Sequence, residues 1–136
     1  MRYLVDTNMI SEFRKESRAN RGVRTWVMSN HPDLWALSVI TIGEIRAGIE
    51  EKRRKDHKQA ALIETWLENL IAEMADRILP ISIEVAEGWG RLSAKGLRPV
   101  ADTLIAATAL NHDLTLVTRN VSDFAGTGVR VVNPWK

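Results

Sequence analysis

The sequence predicts an α/β fold in which a central, mostly parallel sheet is covered by helices on both faces, a three-layer α/β/α arrangement. Short apolar runs alternate along the chain with longer segments whose apolar residues recur every three or four positions. Strands that alternate with helices are typical of parallel sheets. The chain has 136 residues, which suits one hydrophobic core, so we expect a single domain over residues 1–136.

The N-terminal region predicts a strand that leads directly into a helix. Tyr3–Val5 form an apolar run, and Asp6, Thr7 and Asn8 interrupt it with residues that favour turns and helix caps. A second helix is expected from about Asn20 to Ser29.

The next region predicts a second strand and two helices. The break at residues 31–33 separates the second helix from a mostly apolar strand at Leu34–Ile40. A helix opening at Thr41 carries Glu44, and a longer helix is expected between Lys58 and Ala75. The longer helix is the clearest in the chain, because its apolar residues fall on one stripe: Leu62, Ile63, Trp66, Leu67, Leu70, Ile71 and Met74.

The second half of the chain continues the alternation. A strand at Ile78–Ile83 contains Pro80, so we expect it to be short or at a sheet edge. The helix that follows, Ile83–Lys95, ends before Gly96 and Pro99.

A buried helix rich in Ala and Leu and two β-branched runs complete the predicted order. The helix spans Asp102–Asn111, and the runs at Leu114–Thr118 and Val129–Val132 predict two strands. The loop between these strands contains Asn120, Asp123, Gly126 and Gly128.

Composition excludes several kinds of chemistry. Cysteine is absent, so disulfides, thiolate nucleophiles and cysteine-bound zinc are excluded. With 19 Lys and Arg against 17 Asp and Glu, the net charge is only +2, and any nucleic-acid binding must use local patches. No run approaches the roughly 18 apolar residues of a membrane span, and the N-terminus does not resemble a signal peptide. We therefore expect a cytoplasmic protein without a membrane segment.

Acidic residues follow several of the predicted strands. Asp6 follows the first strand, Glu44 lies one helical turn after the second, and Asp102 begins a helix, while Asn120 and Asp123 lie just beyond the strand at 114–118. In an open parallel sheet, ligands bind outside the carboxyl ends of the strands. These side chains are therefore expected to converge at one edge of the sheet.

Such a cluster predicts a divalent metal and phosphodiester hydrolysis. Carboxylates that approach one another repel unless a cation compensates them, and oxygen ligands suit Mg²⁺ or Mn²⁺. A bound metal can activate water and neutralise charge on a pentacoordinate phosphorus. We assign Asp6 and Asp102 to metal coordination and Glu44 to coordination or to activation of the water.

Each acidic residue also has a structural interpretation. Asp6 could cap the following helix, and Thr41 with Glu44 fits a capping box. Asp102 could interact with the dipole of its own helix, and Asp123 could be an ordinary turn residue. Only the combination of these residues favours a functional interpretation.

Two other features have alternative interpretations. The basic run Lys52–Lys55, together with Lys58, could contact phosphates or form a solvated helix end. Trp135 could belong to the core or pack at a subunit interface.

Four motifs in order resemble the PIN-domain toxins of the VapC type. They are Leu4 to Asn8, Ser38 to Gly48, Ala101 to Ala109 and Leu116 to Asn120, which together span nearly the whole chain. The ending Val131 to Trp135 is similar to the subgroup related to the FitB proteins.

The resemblance implies a PIN-like α/β/α domain, Mg²⁺- or Mn²⁺-dependent ribonuclease activity and a homodimer. It also implies the role of toxin in a type II toxin–antitoxin system. A cognate antitoxin would inhibit the nuclease by inserting a basic segment into the acidic pocket, and the complex would reach operator DNA only through the antitoxin.

The resemblance also implies roles for individual residues. The acidic quartet of the family falls on Asp6, Glu44, Asp102 and Asn120. Because the fourth position is often Asp in relatives, either Asp123 supplies this group or the site operates with three carboxylates. Thr7 and Asn8 would orient Asp6 or a metal-bound water.

Three rival functions are less consistent with these motifs. A haloacid-dehalogenase phosphatase needs a second Asp at position 8, where this chain has Asn8. A phospho-receiver domain needs an acidic pair near the first strand, where Asp6 is alone. The third rival is a non-catalytic RNA- or partner-binding PIN-like module, which would have no need to keep the acidic residues.

Overall fold

A computed structural model describes residues 1–96 and 98–136. The strands of this part of the chain are β1 Tyr3–Val5, β2 Trp35–Ser38, β3 Ile78–Leu79, β4 Thr115–Val117 and β5 Val131–Val132. The helices there are α1 Thr7–Phe13, α2 Arg21–Ser29, α3 Val39–Arg53, α4 His57–Met74, α5 Ile83–Ser93 and α6 Val100–Asn111. A short 3₁₀ helix spans Val121–Phe124.

The five strands form one parallel sheet in the order β3-β2-β1-β4-β5. The predicted α/β fold is therefore confirmed. β1 is central, with Leu4 beside Ala36 of β2 and Val5 beside Val117 of β4. The strand order reverses between β1 and β4, so the sheet has a topological switch point where ligands of such folds bind.

The side chains of β1 alternate between two cores, which explains the three layers. Tyr3 and Val5 pack in a core that also contains residues of α1, α2, α3 and α4. Leu4 packs on the other face, in a core built largely from α5, α6 and β4. Because successive side chains of a strand point to opposite faces, β1 contributes to both cores; α1, α2, α3 and α4 cover one face of the sheet, and α5 and α6 cover the other.

The boundary between β2 and α3 differs from the prediction. β2 ends at Ser38 and α3 begins at Val39, so the expected strand to Ile40 is too long and the expected helix start at Thr41 is wrong. The Ser38 hydroxyl accepts a hydrogen bond of 3.0 Å from the backbone N–H of Ile40 and caps the helix. Thr41 therefore does not cap α3, and the capping-box interpretation of Glu44 is also wrong.

Other predicted elements are confirmed with small changes at their ends. β3 contains only two residues and lies at the sheet edge, because Pro80 has no N–H to continue the ladder. α5 ends at Ser93 rather than Lys95, and α6 begins at Val100 rather than Asp102. Asn20 caps α2 by accepting hydrogen bonds from the backbone N–H groups of Gly22 and Val23.

Within residues 1–96 and 98–136, no helix has both the length and the apolar character needed to cross a membrane.

Candidate active site

Asp6 lies at the carboxyl end of the central strand and caps α1. Its Oδ1 accepts a hydrogen bond of 2.8 Å from the backbone N–H of Thr7, and its Oδ2 accepts one of 2.7 Å from the Thr118 hydroxyl. The side chain is buried, with 6% of the residue surface exposed. The capping interpretation of Asp6 is thus confirmed, and the same carboxylate faces the switch point between β1 and β4.

Thr118 and Asn8 connect Asp6 to the end of β4. Thr118 is fully buried, and its hydroxyl accepts a 3.1 Å hydrogen bond from Asn8 Nδ2. Asn8 Nδ2 also lies 3.4 Å from Asp6 Oδ2, and Asn8 Oδ1 accepts from the backbone N–H of Arg119 at 3.2 Å. Asn8 therefore contacts the Asp6 carboxylate, and it also fixes the loop after β4.

Glu44 lies on α3 and is held by Thr7. The Thr7 hydroxyl donates a hydrogen bond of 2.6 Å to Glu44 Oε1 and lies 3.1 Å from the Thr41 hydroxyl. Thr7 therefore touches both acids, Asp6 through its backbone N–H and Glu44 through its hydroxyl. Glu44 itself is exposed, and the bond from Thr7 occupies only its Oε1.

Asp102 and Asp123 approach the cluster from the other side of the sheet edge. Asp102 is half-buried in the first turn of α6, and Asp123 is exposed in the 3₁₀ helix after β4. The negative charge of Asp123 raises the pKa of both Asp6 and Asp102. Asp123 is therefore near enough for its charge to act on both Asp residues.

Asn120 contributes its backbone rather than a charge. Its backbone N–H donates a 3.1 Å hydrogen bond to the Thr118 hydroxyl, while its side chain is exposed. Of the two alternatives for the fourth position, Asp123 is the one that adds to the negative potential of the cluster.

Burial and mutual repulsion raise the pKa values of the two Asp residues that the sequence assigned to the metal. Burial is the main cause at Asp6, opposed by the hydrogen bonds from Thr118 and Thr7 and reinforced by the charges of Glu44 and Asp123. The pKa of Asp102 is also raised by burial first, and then by the charges of Asp6, Asp123 and Glu44. The charges of Glu44 and Asp123 thus act on both Asp6 and Asp102.

The donor set is compatible with a hard divalent cation. In the described part of the chain, no three Asp, Glu, His or Cys side chains are close enough together to hold one ion. Mg²⁺, however, usually binds one or two protein carboxylates and keeps several waters. Asp6 and Asp102 suit this coordination, because a cation bound there would compensate the neighbouring negative charges that, together with burial, raise their pKa values.

Thr118 also belongs to the site, through its hydrogen bond to Asp6, and was not predicted from the sequence. In the structure Val5 lies beside Val117, so Asp6 and Thr118, one residue further along each strand, are also neighbours. A polar residue at the end of an otherwise apolar strand next to β1 could have identified it.

A parallel sheet with carboxylates gathered at its switch point defines an α/β domain with an acidic edge, and comparison with known proteins specifies its family. Residues 3–128 match the family model described as PIN domain, and the chain belongs to this family. The resemblance inferred from the four motifs is confirmed.

Individual relatives match almost the whole chain. A protein named VapC ribonuclease from Sinorhizobium fredii is 30% identical over 98% of this chain and 97% of its own length. The crystal structure of FitAcB from Neisseria gonorrhoeae superposes with a TM-score of 0.85 and 33% identity, covering 98% of both chains. A toxin-antitoxin complex from Klebsiella pneumoniae gives a TM-score of 0.68 and 27% identity, again covering 98% of both chains.

Proposed function

We propose that this chain is a Mg²⁺- or Mn²⁺-dependent endoribonuclease and the toxin of a type II toxin–antitoxin pair. The observation that carries the proposal is the convergence of Asp6, Glu44, Asp102 and Asp123 at the switch point of the sheet, where burial and mutual repulsion raise the pKa values of Asp6 and Asp102. The relative named VapC ribonuclease supports the choice of RNA as substrate.

The residues divide the chemistry between them. Asp6 and Asp102 would hold the metal, which when bound supplies a polarised water and compensates charge at phosphorus. Glu44 would join the metal ligands or accept the proton of the attacking water on Oε2, because Oε1 already accepts the Thr7 hydroxyl. Asp123 would complete the negative field, and Thr118 and Asn8 would fix the orientation of Asp6.

The same acidic cleft accounts for the proposed regulation. An antitoxin would inhibit the nuclease by placing a basic side chain against Asp6 and Asp102, where a guanidinium can bind carboxylates in a bidentate manner. The relative seen in a toxin-antitoxin complex supports this partner. Operator DNA would be contacted through the antitoxin, and the toxin itself would be a homodimer.

The proposal is tested by cleavage of mixed structured RNAs with Mn²⁺, with EDTA, and with the Asp6→Asn and Asp102→Asn proteins. We expect metal-dependent cuts that both variants lose. Asp33→Asn is the matched control, because Asp33 has 81% of its side chain exposed and precedes β2, at the opposite end of the sheet. Undiminished cleavage in EDTA, or full activity in both site variants, would refute the proposal.

A further inference from the structure

A groove adjoins the carboxylate cluster. It has a volume of about 290 Å³ and lies between α1, α3 and α4. Thr7 and Glu44 form part of its wall, so anything bound in the groove would lie directly beside the proposed reaction centre. A space of this size admits one nucleotide or a few side chains, not a nucleic-acid duplex.

The groove contains the three kinds of group that bind a nucleotide. Arg14 and Lys52 supply positive charge, Trp66 supplies an aromatic surface, and Gln59 supplies an amide. The guanidinium carbon of Arg14 lies 5.9 Å from the Trp66 ring centre. Cations for phosphate, an aromatic ring for stacking and an amide for the edge of a base together form the usual composition of a single-strand site.

The charges of the groove differ from those of the ion-pair network that joins α3 to α4. In that network, Arg46 and Arg53 of α3 are each paired with Glu50 of the same helix and with Glu64 of α4.

By contrast, Arg14 and Lys52 form no ion pair with any residue of the described ranges. The backbone N–H of Gln59 donates to Asp56, whereas its side-chain amide makes no hydrogen bond within these ranges. The basic run that the sequence left ambiguous is thus divided, with Arg53 in an ion-pair network and Lys52 available to an anion.

We propose that this groove binds one nucleotide of the single-stranded RNA substrate, next to the bond that is cut. The inference rests on the proposed function, and it adds the place where the base beside the scissile phosphate is held. Stacking on Trp66 and hydrogen bonding to Gln59 would make this groove a source of sequence preference. A basic antitoxin segment suits the groove less well than RNA, because it would meet the like charges of Arg14 and Lys52.

Gly48 provides a direct way to block the groove. It lines the groove from α3, and a Cβ built on it meets nothing within 4 Å. Gly90 of α5 is a matched control, because it is also an exposed helical glycine with nothing within 4 Å of a built Cβ, and it does not line the groove. Leu at either position replaces glycine in a helix and should stabilise that helix by a similar amount.

The test measures RNA binding separately from cleavage. Asp6→Asn proteins that also carry Gly48→Leu or Gly90→Leu are titrated against a fluorescent pool of single-stranded RNA in magnesium-containing buffer, with anisotropy as the readout. We expect Gly48→Leu to weaken binding roughly tenfold or more, the size of one lost stacking contact, and Gly90→Leu to leave it unchanged. Trp66→Leu should weaken binding while Trp66→Phe largely preserves it.

Two further readouts make the inference specific to a nucleotide. Arg14→Gln should reduce the slope of log affinity against log salt by about one. In an active background, Gly48→Leu should change which RNA sequences are cut, whereas Gly90→Leu should not.

Equal RNA affinity of the two Leu variants would overturn the inference. The same holds if Gly48→Leu leaves RNA binding intact and instead prevents co-purification of the co-expressed antitoxin, because the groove would then belong to a protein partner. Absence of cleavage by the wild-type chain would count against the proposed function, while the binding comparison would still decide the role of the groove.

Discussion

Replacing Thr118 by Val tests whether the Thr118 hydroxyl is what keeps Asp6 ionised at the centre of the site. Valine has nearly the same shape as threonine, so the change removes hydrogen bonds from a fully buried position with little change in packing. The hydroxyl donates to Asp6 Oδ2 at 2.7 Å and accepts from Asn8 Nδ2 and the Asn120 N–H, both at 3.1 Å. The hydrogen bond to Asp6 involves a charged acceptor and should be the strongest of the three.

The expected loss of unfolding free energy follows from these contacts. A hydrogen bond to a charged group contributes about 1.5–3 kcal/mol, and the neutral donors left behind add to the cost. We therefore expect Thr118→Val to destabilise the protein by about 2–4 kcal/mol at neutral pH. Thr118→Ser is the control, because it keeps the hydroxyl and loses one buried methyl group, at a cost of about 1 kcal/mol.

The effect of Thr118→Val on the free energy of unfolding should depend on pH. The pKa of Asp6 is raised above its usual 3.8, so the folded state binds the proton more tightly than the unfolded state does. Stability therefore falls as the pH rises from 3.8 through the raised value. The Thr118 hydrogen bond lowers this pKa, so its loss raises the pKa further and extends the fall to higher pH. The gap between Thr118→Val and wild type should be larger at pH 8 than at pH 4.

The assay is urea unfolding in EDTA at several pH values, so that no cation compensates Asp6. If Thr118→Val and Thr118→Ser unfold with equal free energies at neutral pH, or if their difference does not change with pH, then the hydroxyl does not stabilise the Asp6 carboxylate and the reasoning is refuted.

Three further outcomes are expected. Asp102→Asn should lose cleavage while its melting temperature stays equal or rises, because the variant lacks the charge that repels Asp6, Glu44 and Asp123. A lower melting temperature in calorimetry would indicate a structural role for Asp102 instead. Gly22→Ala should destabilise the fold by about 1–3 kcal/mol, since a Cβ there would lie 2.8 Å from the backbone nitrogen of Lys136, and an unchanged melting temperature would contradict the close approach of the C-terminal segment. Light scattering at micromolar concentration should give the mass of a dimer, and a clean monomer mass would count against the proposed homodimer.

The order of strands and helices was predictable because each element has its own local pattern of apolar residues. The apolar run Tyr3–Val5 indicates a strand, and the apolar stripe of His57–Met74 indicates a helix. The alternation of strands with helices along the chain implies a parallel sheet. The start of α3 was less predictable. Val39 and Ile40 are β-branched and extend the apparent strand, whereas the Ser38 cap turns the chain into a helix two residues earlier, which is a local hydrogen bond that strand propensity does not reveal.

Some residues of the candidate site could likewise be predicted from local sequence, and others could not. Asp6, Glu44 and Asp102 could be predicted because each follows a recognisable element, and parallel strands bring their carboxyl ends to one edge. The choice between Asn120 and Asp123 could not, since it depends on the short helix Val121–Phe124, which returns the Asp123 carboxylate towards Asp6 and Asp102.

The site depends on neutral residues such as Thr118 as well as on its carboxylates. Carboxylates that converge at the edge of a sheet tend to take up protons, because burial and mutual repulsion favour the neutral form. The buried hydroxyl opposes this tendency at Asp6, and Asn8 ties the same hydroxyl to the loop after β4. A chain that kept the acids but replaced Thr118 or Asn8 by apolar residues would hold Asp6 in a less ionised and less fixed state, so we expect nuclease activity to depend on these two neutral residues as well as on the carboxylates.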